Sequence, residues 1–365
     1  MILKNTNIIG LIEILKNSNK KLLCVGAGKQ FQEACQWYSE YNFASYVKEV
    51  FDNYVKIVDC GVKCFHPLPI TRIEEYTEGV IVYISGDKKY IELYTMLENI
   101  EALKNVDCYI HNYVRHIPLK ESCLSSEDDA LIPKKIHYCW FGKKEIPEQN
   151  RIWMETWKYY CPDYEIIRWD ESNYDYNKVL FMKEAYEKGK YAFVSDCARL
   201  EIIYENGGVY LDTDVELLQS LDPLLRNHAF CGTYYSVPAV AFGLGFGGEK
   251  SFLLFKEMYE RYCEKDVHYT GNSYKNTCLY FQTDVLNRYG YKQYSNMQQI
   301  INGLVVFPTD VLSPMDLDGN ILSKTDNSVA IHHFDASWYS ENDKSIWEQV
   351  KKKKGEFFNN HYFFR

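Results

Sequence analysis

Residues 192–217, AFVSDCARLEIIYENGGVYLDTDVEL, constrain this chain more than any other stretch. Phe193, Val194, Leu200, Ile203 and Tyr204 recur at roughly helical spacing, which predicts a helix. Gly207 and Gly208 end it, because glycine enters the left-handed C-cap conformation without strain. Val209-Tyr210-Leu211 then reads as a short buried strand with Asp212 and Asp214 at its carboxyl end. In open α/β sheets, ligands collect at that end of the strands. Two aspartates alternating there suit a hard divalent cation, which takes oxygen ligands and keeps positions free for phosphate oxygens. Taken alone, the pair also describes a solvated turn after a strand. Asp196 and Arg199 stand three residues apart and share one face of the preceding helix; taken alone, they describe an ordinary ion pair. The four residues together, on one helix–strand unit, point to a site.

The flanking segments continue the alternation. Residues 136–140 predict a strand running into a turn at Gly142, 151–159 a helix, 165–169 a strand and 177–188 another helix. Strands alternating with helices imply a parallel sheet and an α/β fold. Beyond the aspartates, 215–218 predict a short strand, Asp222-Pro223 a turn or helix start, and 251–262 and 275–286 helices. The glycine-dense segment 242–249, FGLGFGGE, has two readings. It is a loop whose backbone comes close to a ligand where side chains would not fit, or a flexible turn. Residues 329–334 predict a strand on which His332 and His333 point to opposite faces, so at most one reaches the site.

The string SDCARLEIIYENGGVYLDTDVEL resembles the DXD sugar transferases of glycosyltransferase family 32. That family includes initiating yeast-type mannosyltransferases, capsule and surface-polysaccharide enzymes and, more distantly, glucosylating toxins. The opening segment IPKKIHYCWFG, residues 132–142, and the closing blocks FPT, LSPM and VAIHHFDASW, the last at 329–338, resemble the same family. The resemblance therefore covers about residues 131–340. It implies a nucleotide-diphospho-sugar transferase domain of the GT-A type. By the same resemblance Trp140 lies against the nucleotide base, the alternative being a core tryptophan at a strand end. Asp196 and Arg199 contact the donor sugar, and the arginine approaches the diphosphate, for which its planar, always charged fork is suited. Asp214 holds Mn2+ or Mg2+, with Asp212 acting through metal, water or ribose. His333, chosen by its spacing from Trp338, completes the metal shell, and Ser337 and Trp338 cover the diphosphate. Tyr210 lies near the sugar or base, and Thr283 and Asp284 are candidates for sugar hydroxyls. The stereochemistry implied is retention.

Residues 1–120 read as a smaller α/β domain. The strand KLLCV at 21–25 runs into Gly26-Ala27-Gly28 and a helix over 29–41, the position of a dinucleotide-type glycine turn. Phe31 stands where a third glycine would be. A strand over 44–51 ends at Asp52, where a ribose-binding acid would sit, and 80–84 and 108–110 are further strands. The pattern resembles the Rossmann-like domains attached to bacterial sugar-modifying enzymes. It leaves open a bound nucleotide or a scaffold and recognition module. Residues 121–130, small, polar and acidic, read as a linker. In the tail, 341–365, Lys351 to Lys354 precede Phe357, Phe358, Tyr362, Phe363 and Phe364. Such a tail is a solvated helix end with its rings packed back, or a contact for an anionic membrane surface.

Composition narrows the class further. A net charge of -9 argues against nucleic acid as the main partner. The 12 cysteines form no CxxC pair, which suits thiols in a reducing cytoplasm. No secretory leader and no apolar run of membrane-spanning length stand out. The expectation is a cytoplasmic, metal-dependent transferase, with peripheral membrane contact confined to the tail, a nucleoside diphosphate-sugar donor and a glycan or lipid-linked saccharide acceptor. The rival classes are a metal-dependent sugar-nucleotide hydrolase and a non-catalytic nucleotide- or glycan-binding module.

Overall fold

The computed structural model describes the chain apart from residues 62, 87–88, 116, 119, 121, 125–128, 235–238, 272–273, 293–295, 316–323, 336–344, 346–348, 350–351, 353–355 and 358–365. It divides into two compact units, one of residues 1–119 with 350–365 and one of residues 120–349.

The first unit is built on a five-stranded parallel sheet in the order Ile2–Leu3, Asp107–Ile110, Val80–Ile84, Lys21–Val25, Val47–Phe51. All five residues of Val80–Ile84 are buried, as expected of a central parallel strand covered on both faces. Residues 44–46 belong to a helical turn, Phe43–Tyr46, so the strand is shorter than its apolar run suggests. Gly26, at φ 96, makes the turn after Lys21–Val25, and helix Lys29–Trp37 follows. Phe31 fills the third-glycine position as a core residue, edge-on to Phe65. The Asp52 carboxylate accepts the backbone N–H groups of Ala27, Tyr54 and Val55. Burial would raise its pKa, but these bonds hold it below the ordinary value. Phe357, in the tail, is buried with its ring edge-on to Tyr90 and Tyr94; Phe358 and the later aromatics lie outside the described residues.

The second unit carries a mixed sheet in the order Gln299–Ile301, Leu304–Phe307, Ala229–Tyr234, Phe246–Gly248, Gly208–Tyr210, Lys135–Cys139, Glu165–Trp169. The last three strands are parallel, as the βαβ alternation requires. Phe246–Gly248 departs from the expected parallel sheet: it lies antiparallel between Gly208–Tyr210 and Ala229–Tyr234. The segment 242–249 is thus not a flexible turn but a 3-10 turn, Phe242–Leu244, feeding a central strand. Its glycines answer to close packing. A Cβ on Gly247 would meet the Gly208 carbonyl oxygen at 2.8 Å, and one on Gly248 the Phe255 ring at 2.5 Å.

Helix Tyr191–Asn206 buries ten residues, Asp196 and Arg199 among them, and ends at Gly207 with φ 64. Gly207 is the stop; Gly208 already belongs to the strand. A separate antiparallel pair joins Val215–Leu217 to Ala330–His332, with Val215 opposite His332. Trp157, fully buried on helix Glu148–Tyr160, donates its indole N–H to the Val215 carbonyl at 2.8 Å. The described part of 121–130 is not a free linker throughout. Ser122 is buried, with its hydroxyl donating to Asp310 Oδ1 at 3.0 Å. The 12 cysteines are all unpaired. Among the described residues no helix is long and apolar enough to cross a membrane.

Candidate metal and diphosphate site

Three elements converge on the aspartate pair. Strand Gly208–Tyr210 ends just before Asp212, helix Tyr191–Asn206 lays Asp196 and Arg199 beside it, and Ala330–His332 brings His332 from the far end of the chain. Arg199 is the hub. Its Nη2 donates to Asp196 Oδ1, its Nη1 reaches Asp212 Oδ2 at 3.4 Å, and its Nε donates to the Ser195 carbonyl. The guanidinium also lies 4.9 Å over the Tyr210 ring, whose hydroxyl donates to Asp212 Oδ1 at 3.0 Å. Each of the three Arg199 nitrogens thus contacts a protein group, and its charge is close to both acids.

The carboxyls respond unequally. Burial pushes Asp196 up to about 6 against the pull of Arg199. Burial would also raise Asp212, but Arg199 and His332 hold it below its ordinary value. Asp214 ends above the ordinary value, raised by burial and by Asp212 against the opposing pull of His332. Like charges forced together separate in this way.

Ligand atoms of Asp212, Asp214 and His332 lie within 4.8 Å of one another. His332 Nε2 stands 3.3 Å from Asp214 Oδ1 and 3.8 Å from Asp212 Oδ2. The Phe334 backbone N–H donates to His332 Nδ1 at 3.1 Å. A neutral ring that accepts at Nδ1 carries its proton on Nε2, toward the carboxylates. Asp214 Oδ2 accepts the Asp335 N–H at 2.9 Å, which leaves Oδ1 facing inward. The two carboxylates therefore fit a hard cation as they stand. His332 fits once its proton leaves Nε2 and the Phe334 bond is given up.

His333, the residue selected by spacing, is not brought to this cluster. Its Nε2 lies 2.8 Å from Glu216 Oε2 and its ring stacks on Trp153 at 4.1 Å. The alternation of side chains along the strand separates the two histidines but does not say which one faces inward. Trp140 is half-buried at the carboxyl end of Lys135–Cys139, its indole N–H donated to the Lys144 carbonyl at 2.6 Å. Beyond this turn lies an open pocket of about 500 Å³, lined by Lys143, Glu171, Asn173, Tyr176 and Tyr186 among others. Thr283 is buried and accepts the Val240 N–H, whereas Asp284 pairs with Arg288 and Arg261. Ser337 and Trp338 lie outside the described residues.

Several contributors carry no signal in the sequence. Asn150, 3% exposed, donates to Thr213 between the two aspartates at 3.2 Å. Cys278, at the start of helix Cys278–Arg288, lies beside Asp196, and its backbone N–H and thiol favour the charged carboxylate against burial. Neither residue type signals such a role, and both contacts exist only in the folded chain.

Residues 147–231, which include this helix–strand unit, match the family model described as "Glycosyltransferase sugar-binding region containing DXD motif". This match supports a likeness to the DXD glycosyltransferases of family 32. This DXD chain is 35% identical over 158 residues to inositol phosphoceramide mannosyltransferase 3 of Schizosaccharomyces pombe, covering 41% of the chain and 39% of that protein. It is 36% identical over 104 residues to mannosyl phosphorylinositol ceramide synthase of Saccharomyces cerevisiae, covering 27% of each. With the subversion of eukaryotic traffic protein A of Legionella pneumophila it shares 28% identity over 122 residues, covering 26% of the chain and 19% of that protein. The DXD chain thus spans well under half the length of these relatives. A solved structure titled PaToxG Glycosyltransferase superposes with a TM-score of 0.34 at 18% identity, over 43% of this chain and 69% of that one.

Proposed function

We propose that this chain is a metal-dependent, retaining glycosyltransferase that moves a sugar from a nucleoside diphosphate-sugar to a glycan or lipid-linked acceptor. The observation that carries the reading is the Asp212–Asp214 pair at a strand end, with Arg199 and Tyr210 closing over one carboxylate. A divalent cation, Mn2+ or Mg2+, held by these carboxylates would neutralise the charge that builds on the β-phosphate as the sugar leaves. Asp212 is kept ionised for that task by Arg199 and His332. Tyr210 fixes the orientation of Asp212, and Asn150 fixes the Thr213 turn between the two acids. Asp196 and Arg199 face the donor sugar in this reading, and Trp140 with the adjoining pocket receives the nucleoside.

A UDP-sugar is the first donor to test, and surface-polysaccharide synthesis at the cytoplasmic face of a membrane is the setting we favour. The yeast relatives' names, which specify mannose and inositol phosphoceramide, support GDP-mannose and a lipid-linked acceptor as the second combination. The test is donor turnover with and without Mn2+, and with and without an added glycan or lipid-linked acceptor. Metal-dependent release of nucleoside diphosphate that accelerates strongly with acceptor supports transfer. Release at the same rate without acceptor supports the hydrolase instead. No release from any donor leaves a binding module.

A further inference from the structure

Gly243 is buried in the 3-10 turn Phe242–Leu244, and its φ is not in the left-handed region. Backbone conformation therefore does not demand glycine here; space does. A Cβ built on Gly243 would lie 2.5 Å from Asp212 Oδ2 and 3.1 Å from Arg199 Nη1. The first distance is far inside van der Waals contact, so one methyl group requires the carboxylate or the turn to move. The turn is not free to move. The Phe242 N–H donates to Gln282 Oε1 at 3.2 Å, and the Val240 N–H donates to Thr283 Oγ1 at 3.2 Å. Gln282 and Thr283 are both buried on helix Cys278–Arg288, the helix whose first residue also binds Asp196. One helix therefore supports both acids that flank Arg199, Asp196 directly and Asp212 through the glycine turn.

We infer that Gly243 is a positioning residue for Asp212. Its bare backbone, pinned by Gln282 and Thr283, forms the wall against which the carboxylate is set between Arg199, Tyr210 and His332. The role rests on the metal reading for its functional meaning, but the steric coupling between Gly243 and Asp212 does not. The strain falls on the one carboxylate that Arg199 and Tyr210 both hold. Supporting shells of this kind orient metal-binding groups, and disturbing them typically costs about tenfold or more in metal affinity.

The experiment compares wild type, Gly243→Ala, Gly248→Ala, Asp212→Ala and the double variant Asp212→Ala with Gly243→Ala, as full chains. Mn2+ binding is read by the electron paramagnetic resonance signal of the free ion, and stability by thermal melting. Gly248→Ala is the control for a purely structural clash, since its Cβ meets Phe255 and Ala229 and not the acids. Expected is a Gly243→Ala protein that binds Mn2+ about tenfold or more weakly, beside a Gly248→Ala protein that melts lower with Mn2+ affinity unchanged. In the Asp212→Ala background, Gly243→Ala should lose most of its effect on melting, because the colliding carboxylate is gone. The inference is overturned if Gly243→Ala binds Mn2+ as wild type does, or if its melting penalty persists in full without Asp212. A wild type that binds no Mn2+ sinks the metal reading, and the melting comparison then decides the steric coupling alone.

Discussion

Replacing Arg199 with Met removes the one positive charge that Asp196, Asp212 and the Tyr210 ring share, at little change in side-chain volume. The Arg199 side chain is 3% exposed and serves Asp196, Asp212 and the Tyr210 ring. Breaking a buried ion pair from one side costs about 3–5 kcal/mol, because the remaining charge stays buried without a partner. For a unit of this size that corresponds to a fall in melting temperature of roughly 6–20 °C. The sign of the pH dependence follows from the acids. Asp196 already titrates at about 6, above the unfolded value, because burial disfavours its charge. Without Arg199 its folded pKa rises further. The deficit relative to wild type is then greatest above that raised pKa and shrinks as pH falls through it, since a protonated carboxyl needs no counter-charge. Urea denaturation followed by tryptophan fluorescence, near neutral pH and again near pH 5, measures both. A variant within about 1 kcal/mol of wild type at neutral pH would be no more than a surface ion pair, and would refute the hub role. A deficit of equal size at both pH values would refute the link to the carboxyls.

Three further outcomes follow from the same geometry. Alanine at His332 should weaken Mn2+ binding by about tenfold or more, whereas alanine at His333 should lower the melting temperature by removing its Trp153 stack and leave Mn2+ affinity unchanged; the reverse pattern would restore His333 to the site. Trp140→Ala should weaken nucleotide binding, read by calorimetry, at an unchanged melting temperature, and a collapse of stability instead would make Trp140 a core residue. Asp310 is raised by burial from 3.8 to about 6, despite the Ser122 and Thr325 hydroxyls. The folded state thus binds this proton more tightly than the unfolded chain, so its contribution favours stability as pH falls through about 6. Asp310→Asn should flatten that part of the stability–pH profile, and an unchanged slope would show that Asp310 does not titrate there.

Local pattern carried the helix and strand around the aspartates. Gly207 stops helix Tyr191–Asn206 because it must take φ 64, and the strand after it is short because its carboxyl end has to open at Asp212. Strand Glu165–Trp169 has the expected bounds, and Lys135–Cys139 lies within one residue of them. Strand 246–248 was hidden because glycine carries no apolar periodicity, although its glycines are what permit close pairing with Gly208–Tyr210. The inward histidine was equally hidden. Phe334 takes a left-handed conformation at φ 52, and its N–H together with the Val215–His332 register fixes His332 toward the acids. Asn150 reaches Thr213, and Gly243 and Cys278 reach the aspartates, across long sequence separations, and no spacing rule relates them. The acid at the ribose position of the first unit was visible as a residue type, but not its engagement by three backbone N–H groups.

The most direct measurement is isothermal titration of UDP-sugars and GDP-mannose into wild type and Asp214→Asn, each with and without Mn2+. One nucleoside diphosphate-sugar should bind wild type only when Mn2+ is present, and Asp214→Asn should lose this binding while its melting temperature stays at the wild-type value. Binding of equal strength without Mn2+, or binding retained in folded Asp214→Asn, would contradict the assignment of the aspartate pair as the metal and diphosphate site.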